Sequence, residues 1–140
     1  MTSSIGISAN GVLNIASGGT VSASSVQLSG ANLTVNGSGV LNTTGSNYFS
    51  ATLDSGAAAT ITGSGSQWNN PNTQIGVGVY SGSGSLVIQN GGAVTTPGLI
   101  LGYSSGTDGS VTITGRGSQL VVTDCHAGSV WTWGTLVKVP

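Results

Sequence analysis

The stretch Thr60-Ile61-Thr62-Gly63-Ser64-Gly65-Ser66-Gln67 returns 52 residues later as Thr112-Ile113-Thr114-Gly115-Arg116-Gly117-Ser118-Gln119, with one position changed. A further copy, Thr34-Val35-Asn36-Gly37-Ser38-Gly39, begins 26 residues before Thr60, so the long interval holds two periods. A short strand and glycine turn written at a near-fixed period of 20–50 residues is the mark of a repeat architecture. That constraint precedes every other one. A unit of this size cannot bury its own apolar face, and stability comes from stacking one unit on the next.

The unit can be followed by one apolar position, Ile15, Val35, Ile61, Ile88 and Ile113, at intervals of 20, 26, 27 and 25 residues. Each is followed by a turn rich in Gly, Ser or Asn, residues that accept positive φ or bond their own backbone. The turns are Ser17-Gly18-Gly19, Gly37-Ser38-Gly39, Gly63-Ser64-Gly65, Asn90-Gly91-Gly92 and Gly115-Arg116-Gly117. Apolar residues alternate with polar ones in runs such as Leu13-Asn14-Ile15, Leu33-Thr34-Val35 and Val111-Thr112-Ile113. Period-two alternation bounded by turn residues predicts strands, and no helical spacing of apolar residues competes with it. A second run, Val26-Gln27-Leu28, Ile75-Gly76-Val77 or Leu99-Ile100-Leu101, precedes the next unit. The tail is expected to continue the pattern. Gly128-Ser129-Val130-Trp131 matches Gly65-Ser66-Gln67-Trp68, and Thr135-Leu136-Val137-Lys138-Val139 matches Thr73-Gln74-Ile75-Gly76-Val77.

The predicted fold is all-β: a right-handed parallel β-helix, or β-solenoid, of about five coils. At the ~4.8 Å strand spacing it makes a rod on the order of 25 Å long. Residues 1–140 read as one repeat segment, clearest over 59–120 and irregular over 121–140. The first coil starts at Ile5-Gly6-Ile7 and the last stops in mid-unit at Val139-Pro140, so the segment is expected to be a piece of a longer array.

Composition narrows the function. Charged residues are 4 % of the chain and the net charge is −1, so the basic footprint of a nucleic-acid or anionic-lipid partner is missing. Apolar residues at 37 % argue against a disordered linker. Cys125 is the single cysteine, so no internal disulfide forms, and no metal-ligand spacing surrounds it. Neither a secretory signal nor a ~20-residue apolar span occurs within these residues.

Three strings resemble the passenger repeats of bacterial autotransporters: Gly63-Ser64-Gly65-Ser66-Gln67-Trp68, Gly84-Ser85-Leu86-Val87-Ile88-Gln89-Asn90-Gly91-Gly92-Ala93-Val94, and Leu99-Ile100-Leu101-Gly102. The likeness covers residues 59–120 well, 11–58 loosely and 121–140 weakly. It implies a β-helical passenger displayed at the cell surface by a C-terminal outer-membrane barrel, with adhesion or self-association as its role. The barrel and the export signal are not among these residues, so display is expected of a parent protein.

Candidate chemistry is sparse. The ionisable side chains are Asp54, Asp108, Asp124, Arg116, Lys138 and His126. Asp54-Ser55-Gly56 and Asp108-Gly109 read as turn formers that bond their own backbone, not as the paired carboxylates of glycoside chemistry. Gly102-Tyr103-Ser104-Ser105-Gly106 spells a nucleophile elbow but lacks the helix that motif requires. Asp124-Cys125-His126 brings together reactive residue types, yet neighbours on an extended chain diverge. Thr60-Ile61-Thr62 and Thr112-Ile113-Thr114 suggest an ice-binding threonine ladder, which Asn14-Ile15-Ala16, Thr34-Val35-Asn36 and Val87-Ile88-Gln89 break.

Trp68, Tyr80, Tyr103 and Trp131 are the candidate contacts for carbohydrate, set against the simpler reading that Trp68 and Trp131 fill matching corners of the coil. No cofactor or metal is expected. The expected role is a non-catalytic stalk or adhesive surface, with surface glycans, proteins or a second copy as partner. The rival readings are the scaffold of a polysaccharide-active β-helix enzyme and a phage-fibre solenoid.

Overall fold

The computed structural model describes residues 3–124 in full, and beyond them the backbone of two strands, Val130–Thr132 and Thr135–Lys138. The first coil comprises β1 (Ser4–Ser8), β2 (Val12–Ile15) and β3 (Thr20–Ala23). The second has β4 (Ser25–Ser29), β5 (Asn32–Val35) and β6 (Val40–Thr43), and the third β7 (Phe49–Asp54), β8 (Ala57–Thr62) and β9 (Gln67–Asn69). The fourth has β10 (Gln74–Val77), β11 (Ser83–Gln89) and β12 (Ala93–Thr96), and the fifth β13 (Gly98–Leu101), β14 (Asp108–Thr114) and β15 (Gln119–Val122). β16 (Val130–Thr132) and β17 (Thr135–Lys138) begin a sixth.

Every strand pairs in parallel with the strand three places later, which generates three sheets: β1-β4-β7-β10-β13-β16, β2-β5-β8-β11-β14-β17 and β3-β6-β9-β12-β15. The chain is an all-β parallel solenoid of about five turns, with no helix among the described residues.

The apolar position traced through the sequence is one column of the second sheet. Ile15 stands beside Val35, Val35 beside Ile61, Ile61 beside Ile88 and Ile88 beside Ile113. In the first sheet Leu28, Leu53, Val77 and Leu101 stack likewise, and in the third Leu41, Trp68 and Val94. All of these side chains are buried and belong to one continuous core. At about 1.5–3 kcal/mol for each fully buried large apolar side chain, these columns are the main source of stability.

The 52-residue repeat has a structural counterpart. The turns from second to third sheet come in two kinds. After β2, β5 and β11 a tight turn closes with N–H to C=O bonds such as Gly39 to Asn36 and Gly92 to Gln89, with non-glycine residues at positive φ (Ser17, Ser38, Asn90). After β8 and β14 the bond instead joins Ser66 to Gly63 and Ser118 to Gly115, with glycine at positive φ on both sides of Ser64 and of Arg116. The hydroxyls of Ser66 and Ser118 then accept the backbone N–H of Ser38 and Gly91 in the preceding coil, at 3.2 and 3.1 Å. The full string thus occurs in coils three and five, and in each the second kind of turn ties itself to a turn of the first kind in the coil before.

The corner between the third and first sheets holds a buried polar column. Trp68 Nε1 donates to Thr43 Oγ1 at 3.0 Å, and Thr43 Oγ1 donates to Asn70 Oδ1 at 2.7 Å. Asn70 Nδ2 donates to the Thr73 carbonyl and to Thr96 Oγ1, and Ser50 Oγ also donates to Asn70 Oδ1. Thr43, Ser50, Asn70 and Thr96 are each fully buried. Satisfied in this way, buried polar groups stop being a cost and fix one register between coils.

The tail departs from the sequence-based expectation. β16 pairs with β13 in the first sheet, placing Trp131 beside Ile100, whereas Trp68 lies in the third. β17 pairs with β14 in the second sheet, whereas Gln74–Val77 lies in the first. The matched strings are therefore not equivalent positions. The Trp of one string leads into the third sheet and the Trp of the other lies in the first.

Candidate functional site

Trp68, named from the sequence as a possible surface contact, is fully buried, with its indole N–H satisfied inside the coil. It leaves the candidate strip. Tyr80 and Tyr103 are exposed, at 63 % and 57 %, and they are joined by Tyr48 at 63 %, which sequence reasoning did not single out. Trp131 lies on β16, next in register to Ile100 on the first sheet; its side chain is outside the described residues.

Tyr48 and Tyr80 gather around Phe49 on the outer side of the first sheet because of two local departures from regular strand structure. The first is a bulge. β7 carries one extra residue against β10, so Phe49 pairs with Gln74 while Ala51 pairs with Ile75. Alternation counted back from buried Leu53 would put Phe49 inside. Instead Ser50 and Ala51 are both buried, with the Ser50 hydroxyl turned to Asn70, and Phe49 passes to the outer face. Re-aiming a side chain is a common use of a bulge.

The second departure is the segment after β10, which folds back over the sheet. Val79 is fully buried and packs with Phe49 and Ile100 in a small apolar cluster separate from the main core. Gly76 makes room for it. A Cβ there would stand 2.9 Å from both Val79 methyl groups and 3.1 Å from Phe49 Cδ1. Glycine inside a strand marks a close approach of this kind.

The fold-back is held by Asp54, at the end of β7. Its Oδ1 accepts the backbone N–H of Val79 at 2.7 Å, of Tyr80 at 2.9 Å and, longer, of Ser81 at 3.4 Å. Successive N–H groups converging on one anionic oxygen form an anion-binding nest, here filled by the protein's own carboxylate. Asp54 is only 6 % exposed. The sequence reading had it bonding its own turn; it organises a segment of the next coil instead. Ser55 adds a hydroxyl contact to Ser81 at 2.7 Å and a backbone bond to the Ser81 carbonyl at 2.8 Å.

Tyr80, carried by this segment, meets Phe49 edge to face, with ring centroids 5.9 Å apart and planes at 89°. Tyr48 meets the same ring at 4.7 Å and 84°. Beside Tyr80 lies a depression of about 240 Å³, lined by Gln27, Ser29, Thr52, Asp54 and Ser81, with Leu28 beneath. Its walls offer an aromatic ring, a carboxamide, hydroxyls and one carboxylate.

Of the other sequence candidates, Asp108 and Ser104 flank the fold-back from the next coil, the Asp108 N–H donating to the Gly82 carbonyl at 3.1 Å. Asp108 starts β14 in the second sheet and is exposed, on a different sheet from Asp54. Ser104 Oγ donates to the Val79 carbonyl at 2.7 Å, tying one turn to the previous coil. The outward column of the second sheet reads Asn14, Thr34, Thr60, Val87 and Thr112, with Val137 next in register, so threonine is interrupted there. Asp124 donates its backbone N–H to the Pro97 carbonyl, while Cys125 and His126 are outside the described residues. Among the described residues no three of His, Cys, Asp and Glu come together.

Comparison of the chain with protein-family profiles, with curated proteins and with solved structures finds no match.

Proposed function

We propose that this chain is a solenoid segment of an autotransporter-like bacterial surface protein, acting as stalk and contact surface and not as a catalyst. The observation that carries this reading is the unbroken pairing of each strand with the third one after it. In such an array each added coil lengthens the rod and repeats its outer faces, which suits extension and presentation. The likeness of the Gly63–Trp68, Gly84–Val94 and Leu99–Gly102 strings to passenger repeats supports placement at the cell surface.

The chemistry supports a contact role. The Asp54 carboxylate is engaged by backbone N–H groups of the next coil, where it organises the surface that carries Tyr80. The exposed tyrosines give a surface with both apolar and hydrogen-bonding character, the composition favoured at contact sites. Adhesion to glycans or proteins, or association between copies, is the activity such a surface serves.

The test is accessibility in the source cell. Antibodies against residues 3–124 should label intact, unpermeabilised cells, and external protease should remove the label. Labelling that requires permeabilisation would overturn surface display.

A further inference from the structure

We infer that the depression beside Tyr80 is a binding site for a single pyranose ring of a neutral glycan. This deepens the contact role proposed above by naming a ligand and a place, and it rests on that reading.

A pyranose presents two kinds of surface: a face of C–H bonds and a rim of hydroxyls. The depression offers a match for each. Tyr80 supplies an exposed ring, and its contact with Phe49 fixes the orientation of that ring. An aromatic wall held in place loses little freedom when a ligand stacks on it. Gln27 supplies a carboxamide that both donates and accepts; Ser29, Thr52 and Ser81 supply hydroxyls.

Asp54 completes the set. The bonds from Val79, Tyr80 and Ser81 all fall on Oδ1 and none on Oδ2, while the residue itself lines the depression. Oδ2 is thus an acceptor for a ligand hydroxyl, and a charge-assisted bond to a carboxylate is about twice as strong as a neutral one. The same carboxylate repels anionic ligands, and no Lys or Arg lines the depression, so neutral sugars are favoured over uronic or sialic acids.

Size sets the valence. At about 240 Å³ the depression is smaller than the ~300–1,000 Å³ of sites that enclose drug-sized ligands. It takes one ring at an open surface, so the expected affinity is millimolar, and useful adhesion comes from many contacts along a glycan or a cell.

The test is NMR titration of the isotopically labelled chain with the methyl glycosides of glucose, galactose, mannose and N-acetylglucosamine. At least one should shift the amide signals of Gln27, Thr52, Tyr80 and Ser81 saturably, and glucuronic acid should not. Tyr80→Ala should weaken that binding tenfold or more, Tyr80→Phe should largely preserve it, and Tyr103→Ala, in a separate turn, should leave it unchanged. The unshifted signals of Ile61, Ile88 and Ile113 report that each variant remains folded. Absence of shifts with all four glycosides, or shifts that survive Tyr80→Ala, would overturn the site. Such a result would leave intact-cell labelling unaffected, so it is distinguishable from failure of surface display.

Discussion

The Asp54 carboxylate lies 2.7 Å from the backbone N–H of Val79, a residue 25 positions later in the chain and one coil further along the rod. This contact connects the fold to the surface it presents. It acts with two other β7 residues, Phe49, which packs on Val79 and Tyr80, and Leu53, whose carbonyl accepts the Gly78 N–H at 2.7 Å, to hold the segment that carries Tyr80 against the sheet.

Replacing Asp54 with Ala should therefore destabilise the protein by about 2–3 kcal/mol, because Val79 and Tyr80 lose a charge-assisted acceptor at a buried place. Asp54→Asn keeps an oxygen there and should cost about 1 kcal/mol. Urea unfolding measures both. Amide exchange should accelerate at residues 79–81 and remain slow in the second sheet.

Gly76→Ala tests the close approach without touching Tyr80 or Asp54. The added methyl meets Val79 and Phe49, which are side chains able to shift, so the chain should fold with a loss of about 1–3 kcal/mol. Near-ultraviolet circular dichroism and ring-proton shifts of Tyr48 and Tyr80 should change, since both rings rest on Phe49.

The paired turn serines give a test of repeat independence. Ser66→Ala and Ser118→Ala each remove the acceptor for one backbone N–H in the preceding coil, and each should cost about 1 kcal/mol. The two sites are two coils apart, so the double variant should lose the sum within about 0.5 kcal/mol. Calorimetry or urea unfolding of the three variants provides the comparison.

Asn70→Ala should be the most damaging of these substitutions, at about 3–5 kcal/mol. It strands the hydroxyls of Thr43 and Ser50 and the Thr73 carbonyl inside the corner while leaving a cavity. Thermal unfolding should show a correspondingly large drop in midpoint.

The core of the solenoid was legible because it is written locally: Leu33-Thr34-Val35 or Val111-Thr112-Ile113 shows its inner face by alternation alone. The tail misled because Gly-Ser-Val-Trp copies a string and not a register: β16 pairs with β13 in the first sheet, whereas β9 belongs to the third. The aromatic surface was only half visible. Tyr80 and Tyr103 stood out as aromatic residues in turns, whereas Phe49 is reversed by a bulge whose cause, Ser50 turned to Asn70, joins residues 20 apart. Two signals did exist. Adjacent Tyr48 and Phe49 open a strand, and Gly76 stands between Ile75 and Val77 where a side chain would otherwise point outward.

The most direct test of the coil stacking is methyl NOE spectroscopy on protein labelled at Ile, Leu and Val. Parallel stacking at ~4.8 Å predicts contacts from Val35 to Ile61, Ile61 to Ile88 and Ile88 to Ile113, between residues about one coil apart in sequence. Their absence, with contacts instead between strands adjacent in sequence such as β11 and β12 paired as a hairpin, would contradict the solenoid and every surface built on it.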